Sequence, residues 1–143
     1  MRISALIAFV LATLALQGYG NKTFAAGSEA DREKICKEAE ARYQELFGKP
    51  SKDEPVTIVK MYKYTFCPTI LKVKRGTTVR WVNVDKRTSH SVWLKEQGKE
   101  ESERLFSEEH VEMTLDFPPG DLGYICGPHY EKENMRARII IVE

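Results

Sequence analysis

Cys126, His129, Met135 and an upstream His90 are the residues of this chain whose types and order could do chemistry. One thiolate, two imidazoles and one thioether form the donor set that holds copper in a trigonal two-histidine, one-cysteine site with a weak axial methionine. Thiolate and thioether are soft donors that favour copper, and a set without carboxylates is a poor host for calcium or magnesium. Singly, each residue has a plainer reading. His90 would be an ordinary strand histidine, Cys126 a buried thiol, His129 a polar loop residue and Met135 a core filler. Their succession, Cys126-Gly-Pro-His129 and then Met135 ahead of a last apolar stretch, outweighs those readings. Zinc accepts the same Cys and His donors and is a competing ion.

The elements that must position these donors begin at Pro55. Runs rich in Val, Ile, Thr and aromatic residues at 56–66, 70–74, 77–84, 90–95, 111–117, 122–126 and 136–142 read as strands. Arg75-Gly76 and Pro118-Pro119-Gly120 mark turns between them. Short strands at this spacing predict an antiparallel sandwich or barrel. Cys126 then ends a strand, His129 stands just inside the following loop, and His90 comes from a different loop. The charged stretch 97–103 reads as a mobile, solvated loop, and His110 and Met113 as solvated strand residues, with an accessory copper contact as their sharper alternative. Trp81 and Trp93 read as aromatics of the core or around the site, and Pro128 and Tyr130 as its rim.

Ahead of the strands, residues 28–47 read as one helix. Ser28 and Asp31 form a variant capping box, and Gly48 followed by Pro50 ends it. Ile35, Ala39, Tyr43, Leu46 and Phe47 make an apolar stripe at helical spacing, most simply a docking face against the strands. Residues 49–54 read as a polar linker.

The first 26 residues carry a different pattern. Arg2 precedes an apolar run, and small residues follow near Ala25 and Ala26, the layout of a secretory signal peptide cut after one of these two. The run is too short for a comfortable bilayer span of about 20 residues, which leaves an uncleaved anchor as the alternative. Without Arg2 and Lys22, 20 basic residues face 21 acidic ones, a formal charge of −1. That balance offers no electrostatic footprint for nucleic acid or for an anionic membrane. The remaining residues suit one domain. In an oxidising compartment two of the three cysteines are expected to pair. If Cys126 serves a metal, the pair is Cys36 and Cys67; two unpaired buried thiols are the alternative.

Residues 56–143 resemble a cupredoxin of the plastocyanin and pseudoazurin type. Four stretches carry the likeness: Phe66-Cys-Pro68 through Lys74-Arg-Gly76-Thr-Thr-Val79, Trp81-Val-Asn83 followed by His90, Phe117-Pro-Pro-Gly120 leading to Tyr124-Ile-Cys126, and Cys126-Gly-Pro-His129 with Met135. The resemblance implies an all-β Greek-key sandwich holding one type 1 copper ion at its end. It also implies His90, Cys126 and His129 as equatorial ligands and Met135 as the axial one. Two features depart from the pattern. Ser91 stands where relatives place the Asn that bridges the ligand loops, and the step from His129 to Met135 is one residue longer than in plastocyanin. The resemblance leaves the helix unexplained.

The implied roles are copper handling or tolerance in the periplasm, or one-electron transfer. A soluble carrier serving a respiratory or photosynthetic chain is the main alternative. Partners are then the copper ion and a redox protein, with a monomer expected. An enzyme with a second His-rich copper centre is not expected, because the chain has three His and the proposed site takes two. A red-copper-like oligomer with shared ligands is the enzymatic alternative.

Overall fold

The structure is a computed structural model that describes residues 27–143. The export segment read at 1–26 lies outside the described residues. Among the described residues, no helix is long and apolar enough to cross a membrane.

Among the described residues, seven strands follow one long helix, α1 (Glu29–Phe47). They are β1 (Thr57–Tyr62), β2 (Thr65–Cys67), β3 (Ile70–Lys74), β4 (Thr78–Asn83), β5 (His110–Thr114), β6 (Gly120–Ile125) and β7 (Arg136–Val142). They form two sheets, ordered β2-β1-β4-β5 and β3-β7-β6. The all-β sandwich with one added helix is as expected, but the pairing is mixed. β1 lies parallel to β4, and β3 lies parallel to β7. The chain leaves one sheet after β2, starts the other with β3, and returns to the first with β4, so these neighbours cannot be joined by tight hairpins.

The period-2 alternation of the strands explains the two apolar clusters. Val59 and Met61 of β1, Val79 and Trp81 of β4, and Ala137, Ile139 and Ile141 of β7 meet between the sheets. The opposite face of β1 and β4 carries Ile58 and Val82, and α1 covers it with Ala39 and Tyr43. The amphipathic stripe is therefore a docking face from Ile35 to Leu46, whereas Phe47 at its end stays exposed. At the ends of α1, Ser28 accepts from the Asp31 amide at 3.2 Å while Asp31 accepts from the Ser28 amide at 3.0 Å. Gly48 closes the helix at φ 73°, a left-handed geometry that glycine adopts without a Cβ penalty.

Three local expectations are corrected. The apolar run 56–66 is a hairpin rather than one strand, because Lys63 and Tyr64 both take positive φ, 46° and 56°. This two-residue turn has the pattern usually filled by Asn-Gly, so its sequence gave no warning. Residues 90–95 make only isolated bridges, His90 with Leu105 and Trp93 with Ile125. Met113 is half-buried against the inter-sheet core rather than solvated, because it alternates with the exposed His110, Glu112 and Thr114.

The stretch read as a linker is an ordered clasp. Residues Ser51–Asp53 form a short 3-10 turn. Lys60, 9% exposed beneath the helix, donates to Glu40 at 2.8 Å and to Ser51 at 2.9 Å. The Ser51 amide donates to the other Glu40 oxygen at 2.9 Å. Burial opposes the Glu40 charge, but the hydrogen bonds from Lys60 and Ser51 outweigh it and hold the carboxyl at about 2, against an ordinary 4.5. A depressed carboxylate stabilises the fold fully above its unfolded value and loses that stabilisation as pH falls through the folded one. The contribution of Glu40 is thus lost between 4.5 and about 2. Glu40→Gln is expected to flatten that limb of the acid-unfolding curve, followed by circular dichroism; an unchanged limb would count against the clasp.

Candidate metal centre

The sheet that ends in β6 and β7 builds most of the site. These strands pair antiparallel, with Ile125 opposite Arg136 as the last register pair. Cys126 follows β6 directly and Met135 precedes β7 directly. The ladder continues one step beyond the strands, with the Cys126 amide donating to the Met135 carbonyl at 3.1 Å. The loop between them is compact: the His129 amide donates to the Cys126 carbonyl, and the His129 carbonyl accepts from both Glu133 and Met135. Asn134 takes φ 52° inside this loop, and Asn is among the residues that tolerate that conformation best. That bend lets the longer 129–135 step return to β7.

His90 arrives from the other sheet. Asn83, at the end of β4 and fully buried, donates to the carbonyls of Thr88 and Leu105, each at 2.8 Å, and accepts the Asp85 amide at 2.8 Å. Those bonds curl residues 84–90 back over the sandwich. Reciprocal backbone bonds between His90 and Leu105 then fix His90, and a matching pair between Trp93 and Ile125 ties the segment to β6.

The donors converge. One side-chain donor atom each from His90, Cys126 and His129 lies within 4.8 Å of the others. Cys126 Sγ stands 3.3 Å from His129 Nδ1 and 3.9 Å from His90 Nδ1. Donors bound to one ion in a plane at roughly 2.0–2.3 Å stand about 3.5–3.8 Å apart, so the spacing admits a single ion. His90, Cys126 and Met135 are fully buried, and His129 is half-buried. Burial pushes the Cys126 thiol up, opposed by hydrogen bonds from Ser91 and by Arg104. Burial first, and then the neighbouring His90 and Arg104, push His129 down, which favours a neutral imidazole with a free lone pair.

Side chains beyond the donors complete the surroundings. Ser91 performs the bridging expected of an Asn. Its amide donates to Cys126 Sγ at 3.4 Å, and its hydroxyl accepts from the Gly127 amide at 3.0 Å while donating to Glu101 at 2.6 Å. The 97–103 stretch is therefore bonded to the site through Glu101 rather than being a free loop. Tyr64, carried by the strained hairpin turn, sets its ring edge-on 5.0 Å from His129 and 6.3 Å from His90. Asp85 accepts from His90 Nε2 at 2.7 Å, on the side of the ring away from Cys126. His110, on β5, is exposed and lies outside the cluster, and Trp93 lies on the outer face with Lys95 stacked 4.7 Å over its ring. Tyr130 faces the same Lys95, and both line a cleft with Trp93 and Arg136.

Gly127 packs directly under the Glu101 carboxylate, where a built Cβ would stand 2.0 Å from Oε1. The clash is with the end of a flexible side chain, so Glu101 would swing away. Gly127→Ala is expected to lose about 1–2 kcal/mol through the Ser91–Glu101 bond. Gly127→Ala with Glu101→Ala should cost no more than either change alone; additive losses in a denaturant titration would refute the coupling.

A family model for copper binding proteins of the plastocyanin/azurin family matches residues 54–142. The chain belongs to that family. Three solved structures share the cupredoxin fold. The amicyanin of Paracoccus versutus (Thiobacillus versutus) is 25% identical, with 64% of this chain and 88% of that one covered and a TM-score of 0.52. An oxidised amicyanin variant is 23% identical over 63% and 85% at a TM-score of 0.54, a likeness of fold alone. The copper-containing nitrite reductase of Thermus scotoductus is 29% identical, but the match covers 67% of this chain and 24% of that one, at a TM-score of 0.53. A search of curated protein sequences finds no match. In this cupredoxin the His90, Cys126 and His129 cluster, with Met135 beside it in the chain, matches a single type 1 copper site. The Cys36–Cys67 disulfide expected from the cysteine count is present and ties α1 to β2.

Proposed function

We propose that the protein is an exported type 1 copper cupredoxin that passes single electrons. In this reading residues 1–26 are its signal peptide, the periplasm is its compartment, and it works as a monomer without enzymatic activity. His90, Cys126 and His129, with Met135 as a weaker fourth donor, would hold the copper ion. The supporting observation is the convergence of three donors from two separate segments of a rigid sandwich. Copper bound there supplies a one-electron couple. The protein's part is to hold the thiolate and both imidazoles at spacings that either oxidation state tolerates, so that little reorganisation accompanies each transfer. His129, half-buried under Tyr64, offers the edge nearest to solvent and to a redox partner.

A second reading, copper handling or tolerance, is favoured by the polarity of the segment after His129. Tyr130 donates to Glu131 at 2.8 Å, and Glu131 and Lys132 are exposed, where an apolar docking patch would suit a carrier better. Loss of copper tolerance on gene deletion supports handling; unchanged tolerance with impaired electron flow supports the carrier. The proposal of no enzymatic activity is supported by the supply of His, two in the cluster and His110 on β5.

Titration with Cu(II) tests the site itself. An intense visible band that saturates at one equivalent and bleaches reversibly on one-electron reduction is expected; no band at one equivalent would end the proposal. Met135→Leu should keep copper bound and cost less than about 1.5 kcal/mol of stability, because the side chains are near-isosteric. Its reduction potential should rise, since the axial ligand tunes it. An unshifted potential removes Met135 from the ligand set.

A further inference from the structure

We propose that Asp85 is a positioning residue of the metal centre, selecting the His90 tautomer and setting the electron density its ring donates. This rests on the reading of His90 as a ligand. The observation behind it is one buried contact. Asp85 Oδ2 stands 2.7 Å from His90 Nε2, with His90 fully buried and Asp85 9% exposed. A carboxylate accepts and does not donate, so Nε2 carries the ring hydrogen and Nδ1 keeps its lone pair. Nδ1 is the nitrogen that faces Cys126, at 3.9 Å. A carboxylate behind a ligating imidazole fixes ring orientation and makes the ring a stronger donor.

The same oxygen has a second task. Asp85 Oδ2 also accepts the Lys63 amide at 3.0 Å, in the turn where Lys63 and Tyr64 hold positive φ. Non-glycine residues in that region persist only where their surroundings hold them there. One oxygen therefore joins the segment that delivers His90 to the hairpin that lays Tyr64 against both imidazoles. Asp85 is itself held from behind, its amide bonded to the buried Asn83 at 2.8 Å. The chain Asn83, Asp85, His90 runs from the end of β4 to the centre without an unpaired step.

The test has one readout without metal and one with it. In the metal-free wild type at mildly alkaline pH, long-range nitrogen-15 NMR of His90 should show a protonated Nε2 and an unprotonated Nδ1. Asp85→Asn should mix the tautomers. In the copper-loaded protein it should lower Cu(II) affinity relative to Cu(I) about tenfold, within the range for outer partners of metal-bound His. For one electron a tenfold change is about 59 mV, here an upward shift of potential. A purely structural role for Asp85 moves stability but neither the tautomer nor the potential. A hydrogen on Nδ1 in the wild type overturns the proposal, as does a folded Asp85→Asn protein with unchanged tautomer and potential. If that variant does not fold, the wild-type ring spectrum still decides. A wild type that takes up no copper refutes the metal site, and the ring measurement then stands on its own.

Discussion

Cys126→Ser is expected to abolish the visible absorption of the copper-loaded protein. The band belongs to charge transfer from a thiolate, and a serine hydroxyl at the same position has no sulfur to supply it. His90 and His129 would remain to hold Cu(II) weakly. Removing a direct donor should cost more than the roughly 10–100-fold that loss of an outer partner costs. The fold should survive, because the exchange replaces one small side chain by another. The Ser91 amide that now points at Cys126 Sγ could donate to a hydroxyl instead. In the wild-type protein burial pushes the Cys126 thiol up. Copper uptake must then release its proton, and affinity should fall as pH is lowered. Optical titration of both proteins at two pH values checks this. A variant that keeps the intense band would show that Cys126 is not the thiolate donor.

Removal of the disulfide should give the largest loss of stability. Cys36 and Cys67 are 31 residues apart, and closing a loop of that length in the unfolded chain is worth about 3–4 kcal/mol at 25 °C. Cys36→Ser with Cys67→Ser is therefore expected to lower the urea midpoint, with a steeper slope because the unlinked denatured chain exposes more surface. The cross-link joins α1 to β2, on the outer face of the first sheet. The proposed copper donors lie at the other cluster, between the sheets and beyond their ends. Below its new transition the variant should therefore still take up one copper ion with an unchanged band. A loss under about 1 kcal/mol would mean that the clasp of Glu40, Ser51 and Lys60, together with buried Ala39 and Tyr43, already holds the helix. Loss of the band in a folded variant would mean that the helix supports the site.

Both predictions concern cysteines whose separate fates could be read before any fold was known. The reason is that donor chemistry is a property of residue type, and the short step from Cys126 to His129 leaves little room for either to lie elsewhere. The helix was equally legible, since its cap, its stop and its stripe from Ile35 to Tyr43 are local features. Less legible was the turn at Lys63 and Tyr64, because its backbone geometry is imposed by Asp85 and by strand pairing rather than by residues that prefer it. The stretch at 90–95 looked like a strand because its side chains suit one. Its backbone instead bonds alternately to Leu105 and Ile125, two segments that no local pattern links.

What the sequence alone determined is the candidate donor set, the β architecture, the docking helix and, with Cys126 set aside for a metal, the pairing of Cys36 with Cys67. These depend on residue identity, periodicity and short spacing, which survive without coordinates. Only the tertiary structure decided who stands behind the donors: Asp85 on His90, Ser91 across to Cys126, Glu101 over Gly127, and Tyr64 against both rings. Hydrogen bonds and ring contacts act over a few ångströms in space, and segments far apart in the chain reach that range only when two sheets close on a common core.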